Sequence, residues 1–403
     1  MAEIKSCIAA PTLEVDILSE EVMSDPYPVY ESIRDMGGTV FLPKTGNYFT
    51  VDYDLVKQGF ASWQDFSSAK GVGHLGLEER ELLREPGLLL ENDPPDHGAF
   101  RSIIVRLLSP VALKKLRASF EDTARPLVEA AVARGKIDIA QDLVRPFILN
   151  AIGDAVGLPK EGRENMWHYG AVILATFGPV TPGFERAVAK AREAGSFEWV
   201  EQMMRREALS PDGLGAQIYA SVDSGDIDEI QAGMLVRIFL GAAVDSTTYT
   251  LINGFKNFVD NPAQWTLLSE DRTLARDAFE EVMRHRVSVQ TLHRVATRDV
   301  TLGNIALRAG DRIGLCFAGA NRDPARYPDP AKFDITRRTA GHMGFGHGIH
   351  GCAGQMVARM EAEILLGMLA EKVSEIRAAG EPVREVNNSL SSYDQLPVEL
   401  IRK

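Results

Sequence analysis

Ten residues constrain this chain more than any others: Phe345-Gly-His-Gly-Ile-His-Gly-Cys-Ala-Gly354, followed at once by an amphipathic helical pattern from Gln355 to about Ala378. Glycines at 346, 348, 351 and 354 let a backbone turn tightly and approach a flat object closely. A helix beginning directly after Cys352 brings backbone N–H dipoles to its sulfur. That favours the thiolate, the form that ligates metal. No C-x-x-C or H-E-x-x-H element is present to complete a zinc site. One thiolate acting alone suits an axial haem ligand better than a tetrahedral metal centre. The bland alternative is a buried structural cysteine in a glycine turn, which leaves the rest of the spacing unexplained.

The other cysteines, Cys7 and Cys316, form no regular spacing with Cys352, so no disulfide framework is expected and a reducing cytoplasm fits. Lys and Arg number 44 against 56 Asp and Glu, a net charge of −12 over 403 residues. That sign argues against nucleic-acid or anionic-membrane partners, which attract basic surfaces. No apolar run reaches the roughly 18 residues of a membrane span. The first residues carry Glu3, Glu14, Asp16, Glu20 and Glu21 without a long apolar region, unlike a secretory signal.

Helical periodicity dominates, and the strand-like pieces are short and clustered. Strands are expected at Thr39–Leu42, Tyr48–Val51, Val300–Leu302, Ile305–Leu307 and Arg312–Phe317. Helices are expected after Asp93-Pro-Pro-Asp96, over Pro110–Ala133, over Thr273–His285 and after the cysteine loop. A proline-free stretch from about Asp226 to Asn257 predicts one long helix. Its middle, Phe239-Leu-Gly-Ala-Ala-Val-Asp-Ser-Thr-Thr248, is apolar and small apart from one acid and its hydroxyl neighbours. Such a helix is buried, so its lone carboxylate needs a partner or a task. The expectation is a mainly α chain with a small β part, one domain over residues 1–403 with no linker.

The cysteine loop resembles the F-G-x-G-x-H-x-C-x-G signature of the cytochrome P450 family. Further motifs follow in the family's order. His97-Gly-Ala-Phe-Arg101 is similar to its H-x-x-x-R, Glu281-Val-Met-Arg284 to its E-x-x-R, and Phe333-Asp-Ile-Thr-Arg337 to the segment supplying a third member of that ion cluster. The resemblance implies the P450 fold and haem b, with Cys352 as iron ligand and Phe345 and Gly346 beside it. Arg101, Arg294, His350 and His97 would hold the propionates, for which arginine is the best bidentate donor. Glu281, Arg284 and Arg337 would be structural; by spacing alone Glu281 and Arg284 could equally be a weak surface pair.

The long helix resembles the family's oxygen-side helix, A/G-G-x-D/E-T-T, with Ala243 for the usual glycine and Ser246 for the usual threonine. Asp245 and Ser246 would relay protons. Serine keeps the hydroxyl but lacks the γ-methyl that restricts χ1. Thr247 could substitute in a shifted register, and Asp245 could instead pair inside the bundle.

Ser67-Ser-Ala-Lys-Gly-Val-Gly73, Leu235-Val-Arg237, Val289-Gln-Thr291 and Asn387-Asn-Ser-Leu390 look most like the family's bacterial oxidisers of para-substituted benzoates. There Arg84 and Arg237 match arginines, while Gly87 and Ile238 replace serines at the carboxylate end. Phe177 matches a pocket wall, and Leu174 and Leu292 replace phenylalanines. With Val289 these residues would line an apolar pocket, although they could also be ordinary core. The resemblance implies a monooxygenase acting on a small aromatic substrate with O2, by hydroxylation or O-demethylation. Electrons would come from an iron–sulfur ferredoxin and its NAD(P)H-dependent reductase, docking on a basic face that includes Arg359. A terpenoid substrate, a peroxide-driven peroxygenase and a non-catalytic haem protein are the alternatives. The Asp245–Ser246 pair weighs against the peroxygenase.

Overall fold

The computed structural model describes residues 9–77, 85–386 and 388–403. The long helix is present as Glu229–Asp260, and it is the axis of the fold. Asp228 starts it: its side chain accepts from the Gln231 N–H while the Gln231 side chain accepts from the Asp228 N–H. Pro262, at the start of the next helix, prevents its continuation. Leu235, Val236, Val244, Tyr249 and Ile252 are all buried and point in different directions, as in a helix enclosed by others. Among the described residues it is the one helix long and apolar enough to cross a membrane. However, 67% of its apolar window is buried inside the protein.

Three helices that shape the site pack on this central helix: Arg145–Val156, Glu164–Ala175 and Ala275–His285. The cysteine helix, Gln355–Lys372, packs on Ala275–His285 and on Pro110–Arg134. The helix opened by Asp96 ends at Leu107, because Ser109 caps and Pro110 opens a new one.

Five strands form the larger sheet: β1 (Thr39–Leu42), β2 (Asn47–Thr50), β3 (Phe66–Ser67), β4 (Thr291–Ala296) and β5 (Arg312–Cys316), in the order β1-β2-β5-β4-β3. Only β2 and β5 run parallel. In β4 the period of two places Leu292 and Arg294 on one face and His293 and Val295 on the other. The small hairpin Val300–Leu302 with Ile305–Leu307 forms as expected.

The largest differences from the expected boundaries are at two helices. The central helix begins at Glu229 and continues to Asp260, three residues beyond Asn257. The cysteine helix stops at Lys372, and Val373–Ala378 is a strand paired antiparallel with Pro397–Arg402. Its Val373 and Ile376 fit a helix by their spacing of three and a strand by their β-branched side chains. The distant C-terminal strand supplies the ladder that decides between them.

Candidate active site

A cavity of about 360 Å³ lies between the central helix and the cysteine loop. The loop is tied by the Cys352 N–H donating to Phe345 O at 2.8 Å and the Gly346 N–H to Met343 O at 2.8 Å. Gly346 and Gly348 both have positive φ, 70° and 71°. At Gly348 a Cβ would also come within 2.2 Å of the Phe60 carbonyl oxygen, so glycine is required there twice over. Cys352, Phe345, Gly346 and Gly354 face the cavity. Burial pushes the Cys352 thiol up from its usual value. The Gly354 N–H, Arg101 and Arg359 pull it partly back. The helix N-terminus therefore acts in the expected direction but is outweighed by burial. A bound cation, not the helix alone, would make this sulfur a thiolate.

Beside the loop lies a cluster of nitrogen donors. Arg294, on the same β4 face as Leu292, is almost fully buried. Its guanidinium donates to the neighbouring His293 O at 2.8 Å. Burial lowers it to about 10, with only a weak offset from Asp93. His97 is buried with its Nε2 unpartnered, and its ring lies 4.5 Å from that of His350. Arg101 gives one N–H to Gly351 O at 2.7 Å. Two buried, under-used donors at Arg294 and His97 are what an incoming carboxylate would satisfy, so the residues present fit a haem with its propionates. His350 fits less directly than expected. Burial and Arg294 hold it neutral, at about 4, and its Nε2–H is engaged by Asn92 O at 2.8 Å. It would donate to a carboxylate only by releasing Asn92.

Glu281 and Arg284 are not a surface pair. Both are fully buried and joined by two hydrogen bonds of 2.7 Å. The remaining guanidinium N–H groups reach Pro330 O at 2.7 Å, Lys332 O at 3.1 Å and Asn321 O at 3.2 Å. Arg337 Nε lies 3.5 Å from Glu281, an ion contact rather than a hydrogen bond, and its other nitrogens bind Pro328 O and Asp329 O. Arg359 is likewise unlike its expected role as an exposed docking cation. It pairs with Glu280 and lies 4.4 Å over the Phe345 ring. Glu280 also accepts from His342 Nε2 at 2.7 Å, and these two partners hold its carboxyl down at about 2.

On the opposite wall, Asp245, Ser246 and Thr247 all face the cavity. Asp245 is 1% exposed, and neither carboxyl oxygen has a partner. Burial raises it well above its ordinary range; Arg145 opposes that and Glu385 adds to it. Ser246 Oγ donates to Ala242 O at 2.9 Å, one turn back. With Ala243 in place of glycine, the central helix runs unbroken through this point. Two further features escaped the sequence reading. Thr250 and Ser288 hydroxyls bond at 2.8 Å, with Ser288 Oγ also donating to Ser246 O at 3.0 Å. Glu361 of the cysteine helix lines the same cavity, fully buried, with Oε1 unpartnered and its carboxyl raised by burial alone. An acid in the apolar stripe Val357, Ala358, Ala362 was the signal available for Glu361.

Leu174, Phe177, Ile238, Val289, Leu292 and Arg237 all line the cavity, so the structure brings the expected pocket together. Arg237 donates to Glu85 O at 2.8 Å. Arg84 lies outside the described residues, as does Asn387. Two of the four benzoate-like stretches, 289–291 and 387–390, meet directly, and neighbouring contacts tie them to the pocket wall. Val289 bridges Leu390, Ser389 Oγ donates to Leu174 O at 3.0 Å, and the His74 N–H donates to Phe177 O at 2.5 Å.

Residues 264–374 match the family model described as Cytochrome P450. The chain is 38% identical over 391 residues to cytochrome P450 CYP199A2 of Rhodopseudomonas palustris, covering 97% of this chain and 94% of that protein. It is 30% identical to the cytochrome P450 monooxygenase PikC of Streptomyces venezuelae, covering 96% and 94%. Among solved structures, cytochrome P450 CREJ in complex with (4-ethylphenyl) dihydrogen phosphate superposes with a TM-score of 0.86 at 25% identity, covering 94% of this chain and 98% of that one. CYP109Q5 from Chondromyces apiculatus superposes with a TM-score of 0.81 at 25% identity, covering 97% and 99%. A lone cavity-facing thiol in a glycine loop, buried donors awaiting carboxylates and relatives along the whole chain lead to one conclusion: this protein belongs to the cytochrome P450 family of haem-binding monooxygenases.

Proposed function

We propose that this protein is a cytoplasmic, ferredoxin-dependent monooxygenase that hydroxylates or O-demethylates a small aromatic substrate. The observation that carries the reading is the polarity of one cavity. Cys352 stands on one wall and the buried, unbonded Asp245 on the other, with apolar side chains between them. Haem, when bound, supplies the activation of O2 and the oxidation. Cys352 would ligate its iron, Arg101, Arg294 and His97 would hold its propionates, and Phe345 and Gly346 would pack against it. Glu281, Arg284 and Arg337 keep the cysteine loop's support rigid and take no part in the chemistry.

Burial disfavours the Asp245 anion and raises its carboxyl well above the ordinary range, which favours the protonated form that a relay needs. Ser246, one residue on, passes that proton inward once its hydroxyl leaves Ala242 O. Leu174, Phe177, Val289 and Leu292 orient the substrate and exclude water. At the far end Ile238 and Gly87 present no hydroxyl, and Arg237 is engaged by Glu85 O. A neutral alkyl- or methoxyarene or a phenol therefore suits this pocket better than a carboxylate. An aromatic ligand in a related structure, the (4-ethylphenyl) phosphate bound to CREJ, supports the aromatic class.

The test has two parts. Holoprotein is titrated with alkylphenols, methoxyarenes and para-substituted benzoates while the haem absorption band is followed. Product per NADH is then measured with and without a ferredoxin and reductase. Spectral shifts with neutral aromatics and ferredoxin-dependent product are expected. No shift with any aromatic, or full turnover on peroxide alone, overturns the reading.

A further inference from the structure

The helix Glu164–Ala175 crosses the central helix directly over Asp245, and it carries glycine at its seventh position, Gly170. A mid-helix glycine is unfavourable relative to alanine, so its presence asks for a reason. Packing between the two helices does not by itself demand it. One turn earlier on the central helix, a Cβ at Gly241 would meet Ile173 at 3.5 Å and Tyr169 at 3.7 Å, ordinary contact distances. At Gly170 the situation differs. A Cβ there would lie 2.6 Å from Asp245 Cγ and 2.7 Å from each carboxyl oxygen. The group that needs the space is the carboxyl itself.

We propose that Gly170 is the positioning residue for Asp245: a notch of bare backbone lets the carboxyl lie against the crossing helix without a hydrogen bond, free to turn toward the cavity. This rests on the proton-relay reading of Asp245. The notch offers room but no donor, since the backbone N–H of Gly170 belongs to its own helix. Both carboxyl oxygens are accordingly buried and unpartnered, and Gly170 and Asp245 line the same cavity. A side chain at 170 would end this arrangement in one of two ways. A methyl group would displace the carboxyl, and a hydroxyl would bond it in place. Either change is absorbed by the far end of a short side chain, so the fold tolerates it.

The experiment uses holoprotein of wild type, Gly170→Ala, Gly170→Ser, Asp245→Asn and the double variant Gly170→Ala/Asp245→Asn. Infrared difference spectra against Asp245→Asn isolate the carboxylic C=O stretch of Asp245. In wild type it should sit at the high frequency of an unbonded acid. Gly170→Ser should move it down, and Gly170→Ala should shift or broaden it. Product per NADH should fall about tenfold or more in Gly170→Ala, with no additional loss in the double variant. An unmoved band in both Gly170 variants overturns the proposal whatever the turnover. So does an equal loss from Gly170→Ala in the Asp245→Asn background, which would assign the glycine to pocket shape. If Asp245→Asn keeps full coupling while the band moves as expected, the relay reading fails and the notch stands.

Discussion

Two buried carboxyl sites, less than forty residues apart in sequence, are built on opposite terms. Glu281 is enclosed with Arg284, and nearly every polar atom of the pair has a partner. Asp245 is enclosed with none. A buried charge persists only when paired and hydrogen-bonded; otherwise the group takes up a proton and stays neutral. Glu281 is thus a structural anion that pins the segment from Asn321 to Asp334 beneath the cysteine loop. Asp245, which burial biases toward its neutral form, faces a cavity. On the proposed relay reading the same side-chain chemistry is scaffold in one place and reagent in the other, and what differs is the supply of partners. Glu361, which lines the same cavity, resembles Asp245 in being buried without an ion partner.

The contrast is most easily broken by removing one partner of the satisfied site. Arg284→Met leaves Glu281 buried with only the longer Arg337 contact and the Asp334 N–H, and should destabilise the protein by about 3–5 kcal/mol. Denaturant unfolding of the purified variant measures this, and little folded holoprotein is expected. Asp245→Asn should do the reverse. The fold stays intact, while coupled product formation falls about a hundredfold, read as product per NADH with peroxide released.

A third effect separates the sites by pH. Burial raises Asp245 well above its ordinary 3.8, so the folded chain keeps a proton that the unfolded chain gives up. Its contribution to stability is complete below about pH 4 and is lost as pH rises toward the raised value, by up to about 1.4 kcal/mol per pH unit. Melting temperatures of Asp245→Asn and wild type should therefore diverge progressively as pH rises above about 4, with the variant gaining. Equal slopes would mean that the carboxyl is ionised and paired.

The smallest expected effect is at Ser246. Its hydroxyl already bonds Ala242 O, so Ser246→Thr should change turnover by less than about fivefold, or 1 kcal/mol. Its gain should appear in coupling rather than in substrate affinity. Ser246→Ala should lose more than Ser246→Thr in the same assay.

Much of this was readable before any coordinates. The cysteine loop, the Glu281–Arg284 spacing and the acid-hydroxyl pair at 245–246 are local, each set by a few consecutive residues or one helical turn. Leu174, Phe177, Val289 and Leu292 could be placed in a pocket by resemblance to a family with the same pattern. Where the reading failed, distant segments decided. Val373–Ala378 is a strand because Pro397–Arg402 lies beside it. Arg359 is closed off because Glu280, 79 residues away, reaches it. The Cys352 thiol rises because burial outweighs the helix N-terminus that the sequence does show.

The chain by itself thus determined which residues carry charge, sulfur and hydroxyl groups and which helix each belongs to, because those properties follow from covalent identity and short-range periodicity. Only the tertiary structure decided which carboxyls find partners and which lie bare against a glycine. That depends on which backbones cross, and two helices distant in sequence meet at Gly170 and Asp245 through packing that no local pattern encodes.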